Sequence, residues 1–103
     1  QAFETIVKDH ATHERAPEAQ LQVAETYYQE RNYDRALQAL DRVVEMFPSN
    51  PAARRAVYRA GVIAEEQGNI PRARSYFQRV VSGWPNSEEA ELAREKLRRM
   101  SSR

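Results

Sequence analysis

Cysteine is absent from this chain of 103 residues. That removes disulfide staples, thiol nucleophiles and thiolate zinc sites, and leaves the redox compartment open. Glycine and proline are scarce, 3 and 5 residues, which argues against a turn-rich strand protein or a disordered linker. No apolar run approaches the roughly 18 residues needed to cross a bilayer, so direct membrane insertion is not expected. The first residues lack a basic, apolar, small-residue signal pattern. The sequence opens on Gln1 rather than Met, and the natural start is expected upstream, together with any targeting segment. An excess of either charge is missing as well: 16 basic residues face 15 acidic ones. No summed field therefore draws the chain to nucleic acid, an anionic membrane or an acidic substrate.

What is present is an internal repeat. Residues 33–48, YDRALQALDRVVEMFP, and residues 70–85, IPRARSYFQRVVSGWP, align at an offset of 37. Ala36 meets Ala73, Leu40 meets Phe77, Val43 and Val44 meet Val80 and Val81, and Phe47 meets Trp84. Subtracting the offset again reaches Phe3, Ile6, Val7 and His10, so the chain opens inside an earlier copy. Within a copy, Leu37, Leu40, Val43, Val44 and Phe47 recur every three or four residues, the spacing of one helix face; strands would need alternation. Asn50 ahead of Pro51 reads as a helix start, Asn86 with Glu89 as a capping box, and Asn32 and Asn69 as short turns. The pattern predicts six helices, near residues 2–9, 17–31, 34–47, 51–67, 71–83 and 87–100. Short connections make neighbours antiparallel, and at this size the core is thin and shared between stacked hairpins.

These residues resemble the tetratricopeptide repeat family. One copy reads Ala24, Tyr27, Arg31, Tyr33, Ala36, Leu40, Val43, Pro48, and the next reads Gly61, Ala64, Gly68, Ile70, Ala73, Phe77, Val80, Pro85. The resemblance implies an all-α, right-handed solenoid in a single domain. Residues 1–15 would be the second helix of a truncated repeat, 16–50 and 53–87 two repeats, and 88–103 a C-terminal capping helix. Gly61, Ala24, Ala36 and Ala73 are small where helices approach closely. The period exceeds the usual 34 residues, and the wording from Val43 to Ala53 and from Val80 to Ala90 is similar to bacterial envelope repeats of the YbgF and BamD kind. That likeness implies a periplasmic or cell-envelope adaptor.

Little in the sequence carries chemistry. His10 and His13 are the only histidines. His10 falls on the slot of Phe47 and Trp84, and His13 in a turn, so packing is expected there and no metal site. There is no nucleophile elbow, phosphate-cradling glycine loop or cofactor motif, and no cofactor is expected. Glu65–Glu66 and Glu88–Glu89 point about 100° apart on their helices and read as solvated faces rather than acid–base pairs. The aromatic residues fall at packing slots rather than on a base-stacking platform.

The resemblance puts function on the first helix of each copy, which lines the concave surface. The candidate partner-binding residues are Leu21, Glu25, Tyr28 and Gln29 in the first copy. In the second they are Arg55, Tyr58, Arg59, Val62 and Glu66. Glu18, Gln22 and, on the last helix, Leu92 and Arg99 fall on the same face. Arg55 and Arg59, four apart, are placed to take a carboxylate. The Lys and Asn set that clamps acidic chaperone tails in some family members is absent, since Leu21, Glu25, Tyr58 and Val62 hold those slots. The expected activity is non-enzymatic binding of a protein or peptide, with self-assembly into a homo-oligomer through the end helices as the alternative.

Overall fold

The computed structural model describes residues 16–101. Five helices follow one another: α1 (Ala16–Gln29), α2 (Tyr33–Met46), α3 (Pro51–Glu66), α4 (Ile70–Gly83) and α5 (Glu88–Ser101). No strand occurs among the described residues. The boundaries agree with the sequence expectation to within two residues at each end. The expected helix over residues 2–9, and with it His10 and His13, lies outside the described residues. Each helix packs on the next, and the first helices of successive hairpins, α1, α3 and α5, also touch directly. This is the tandem hairpin architecture that the repeat predicts.

The caps are local sequence chemistry. Asn50 accepts the Ala52 N–H at 2.9 Å through its side chain, and Pro51 fills the first helical position, where a missing N–H costs nothing. Asn69 caps α4 through Arg72 N–H at 3.3 Å. At α5 the expected capping box gives way to a different residue. Ser87 accepts the Ala90 N–H at 3.1 Å and donates to the Trp84 carbonyl at 2.7 Å, closing the turn from both sides, which Asn86 one residue earlier does not do. Glu89, released from capping, pairs with Arg54 on α3 at 2.9 Å.

Helices α1 and α3 end in the same way. The N–H of Asn32 bonds the Tyr27 carbonyl at 2.8 Å and that of Arg31 the Tyr28 carbonyl at 2.9 Å; Asn69 and Gly68 repeat the pattern on Ala64 and Glu65. This ending needs one residue in the left-handed region. Gly68 takes it at φ 84°, but its counterpart Arg31 takes it at φ 64°, where a side chain is strained.

The core is a row of Ala, Val, Leu and Phe side chains along the hairpin interiors: Ala24, Leu37, Leu40, Val43, Ala56, Ile63, Phe77 and Val80 are buried. The two repeats solve the same packing problem with different volumes. Repeat one sets Ala24 and Leu40 where repeat two sets Gly61 and Phe77. A Cβ at Gly61 would fall 2.6 Å from Phe77 Cε1, 2.8 Å from Cζ and 2.9 Å from Cδ1, inside van der Waals contact. The larger ring therefore requires the smaller residue opposite. In α5 the slot after Ala24 and Gly61 is Arg98, which is exposed. Helix α5 buries Ala90, Ala93 and Met100 and leaves Arg94, Glu95 and Arg98 in water.

Candidate functional site

The concave face is built by the first helices. Residues of α1 and α3 face one another across it, because a one-turn amphipathic step on each helix turns one flank to the hairpin core and the adjacent flank to the neighbouring first helix. An open cleft of about 430 Å³ lies here, lined by Glu18, Leu21, Gln22, Glu25, Leu40, Arg55, Tyr58, Arg59, Glu89 and Leu92. Its exposed wall is mostly apolar. Leu92, on α5, is 50% exposed at its rim. Tyr58 is half-buried and leans on the Phe77 ring, the centroids 5.6 Å apart.

Charges rim this apolar floor in pairs. Arg55 Nη2 donates to Glu18 Oε2 at 2.5 Å. Arg59 reaches Glu25 with both Nε, at 2.6 Å, and Nη2, at 3.1 Å, the fork geometry that strengthens an arginine–carboxylate pair. These hydrogen bonds raise the Arg59 pKa above its ordinary value, against the opposing effect of burial. The same guanidinium lies over the Tyr28 ring, 4.5 Å from its centroid. The Tyr28 hydroxyl donates to Glu66, at 2.8 and 3.0 Å from its two carboxylate oxygens. That hydrogen bond pushes the phenol's pKa up, since ionising it would set a second negative charge beside the carboxylate. Lys96 of α5 pairs with Glu65 of α3 at 3.3 Å, extending the ladder of ion pairs across all three first helices.

Five of the nine expected residues line the cleft: Leu21, Glu25, Arg55, Tyr58 and Arg59. Tyr28 and Glu66 join them through the Arg59 network. Val62 packs partly against the core, and Gln29 is exposed away from the cleft lining. Leu40 and Glu89 are additions. Leu40 reads as core in the sequence and is core, buried beneath the cleft floor that it borders. Glu89 is hidden by its position in a first helical turn, where an acid already has a reason to be.

A second hollow, of about 490 Å³, lies on the outer side of the first hairpin between Gln20, Tyr27, Asp34, Arg35, Gln38 and Arg42. Its wall is mostly polar, which suits water better than an apolar anchor. Gln20 is 3% exposed there, and its Nε2 finds no acceptor among the described residues. Among the described residues no group of three or more His, Cys, Asp or Glu side chains is placed to hold a metal ion, and no helix is long and apolar enough to cross a membrane.

Helical hairpins repeating at a fixed offset, with a concave face formed by the first helix of each, define a helical-repeat interaction scaffold. The chain belongs to the tetratricopeptide repeat family, whose model matches residues 1–51 and 21–88. No curated protein matches it. Modules of this family generally mediate protein–protein interaction and are typically non-enzymatic.

Proposed function

We propose that this chain is an adaptor module that holds a segment of a partner protein in the concave cleft, without catalysis of its own. The observation that carries the reading is the mostly apolar cleft between α1, α3 and α5, with Leu21, Tyr58 and Leu92 around it. Half-exposed Leu and Tyr side chains converging on one concavity are costly to leave in water and are the residue types on which interfaces concentrate their energy. Leu21, Glu25, Arg55, Tyr58 and Arg59 form the contact set, with Tyr28, Gln29, Val62 and Glu66 flanking it. Self-assembly through α5 is the weaker reading, since stacking there would desolvate Arg94 and Arg98. The junction wording, similar to YbgF- and BamD-like repeats, supports a site of action in a bacterial cell-envelope complex, in the periplasm.

Site-specific photo-crosslinking in the native cell tests this. A benzophenone amino acid in place of Tyr58 should give a discrete protein adduct, and the same group in place of Arg79 on α4 should not. Equal adducts from both positions, or adducts from position 79 alone, would reject the concave site. Fractionation of the same cells tests the compartment, where recovery in the cytoplasm would reject the periplasmic assignment.

A further inference from the structure

The sequence suggests that Arg55 and Arg59 reach out for an acidic partner, but both guanidiniums lining the cleft are already paired with the chain's own carboxylates. Arg55 is held by Glu18 and Arg59, in a two-pronged bond, by Glu25. The third acid of the lining, Glu89, is bound by Arg54. Each pair joins two different first helices, so the charges are matched within the fold before any partner arrives. What the cleft offers beyond these pairs is uncharged: the Gln22 amide and the apolar Leu21, Tyr58 ring and Leu92.

From this charge matching we infer that the occupant of the cleft is an uncharged polypeptide segment anchored by large aliphatic side chains, and that acidic segments are excluded by Glu18 and Glu25. This inference rests on the docking reading above and narrows its partner. An acidic segment reaching either arginine would share it with Glu18 or Glu25 and would bring its own carboxylates beside those acids. A basic segment would compete with the arginines for the same acids. A leucine-bearing neutral segment displaces only water from an apolar wall of about 430 Å³, within the range of about 300–1,000 Å³ typical of ligand pockets. Its binding should therefore show little salt dependence, because it neutralises no charge.

Three fluorescein-labelled peptides sharing one spacing test the inference: one with leucines among serine and glutamine, one with leucines among glutamates, one with leucines among lysines. Fluorescence anisotropy is read with the wild type and with the double variant E18Q/E25Q, which leaves both arginines in place and removes their acids. The neutral peptide should bind the wild type at least about tenfold more tightly than either charged one, with less than about a twofold change between low and high salt. In E18Q/E25Q the acidic peptide should gain at least about tenfold and become salt-sensitive. Wild-type preference for the acidic or the basic peptide would overturn the inference, as would an unchanged acidic-peptide affinity in the double variant when circular dichroism shows it folded. Should the double variant fail to fold, the order of the three peptides on the wild type decides alone. If no peptide binds the wild type while crosslinking at position 58 still captures a partner, the inference falls and the docking reading stands. If the neutral peptide binds but L21S/Y58A leaves its affinity unchanged, both fall, because binding then lies elsewhere.

Discussion

Substituting Gly61 by Ala adds one methyl group where α3 lies against the Phe77 ring of α4. The new Cβ would stand 2.6–2.9 Å from three atoms of the Phe77 ring, so α3 and α4 must separate, or the ring must turn, by about 1 Å to restore ordinary contact. Phe77 is fully buried, so turning the ring disturbs its packed neighbours. Overpacking of this kind costs up to about 3 kcal/mol, and the better helix propensity of Ala over Gly returns about 1 kcal/mol. The net expectation is a destabilisation of about 2 kcal/mol, or a fall in Tm of about 10 °C for a domain of this size. Phe77→Leu alone leaves a void and costs about 1.5 kcal/mol. The pair G61A/F77L reproduces the Ala24 and Leu40 arrangement of the first repeat, so the two changes should compensate, with a coupling of about 2 kcal/mol in a double-mutant cycle. Urea denaturation followed by far-UV circular dichroism measures all four corners. Additivity to within about 0.5 kcal/mol would refute the claim that glycine is set there by the ring.

Other outcomes follow from single residues. Arg31→Gly should raise stability by about 0.5–1 kcal/mol, because Arg31 occupies a left-handed conformation that its repeat counterpart Gly68 adopts freely; a loss in chemical denaturation would show that the Arg31 side chain matters more than its backbone. Gln20→Met, nearly the same shape, should gain about 1 kcal/mol by removing a buried amide without an acceptor, and a measured loss would indicate that water satisfies it. Burial raises the Asp41 carboxyl's pKa, more than the hydrogen bond from Tyr76 and nearby Arg72 lower it. The folded state therefore favours protonated Asp41, so its contribution to stability is present at acid pH and lost as pH rises through its folded pKa. Asp41→Asn should remove that dependence and be at least as stable as the wild type at neutral pH, and a wild type that gains on the variant as pH rises would contradict the sign.

The fold was legible because its signal is redundant. The offset of 37 is carried by many independent positions, and Asn50 ahead of Pro51 marks a helix start whose capping bond the structure bears out, while Asn69, read only as a turn, caps α4 as well. Residues whose role depends on a distant partner were less legible. Asn86 and Ser87 compete for one cap, and the choice turns on whether the hydroxyl can also reach the Trp84 carbonyl, a three-dimensional condition. The concave positions followed from the repeat register, but their pairing did not. Arg55 and Arg59 look available in the sequence because Glu18 and Glu25 lie 37 and 34 residues away, and only the stacking of α1 on α3 brings them together. The Gly61–Phe77 exchange was visible as two separate small-and-large matches, while its necessity lies in a contact distance.

The most direct test of docking in the cleft is an amide NMR titration of the protein with the neutral leucine peptide. Shift changes should cluster on Leu21, Tyr58, Arg59 and Leu92 and spare the outward side of α2 and α4. Changes centred on α2 and α4, or none at peptide concentrations that saturate the anisotropy signal, would contradict docking there.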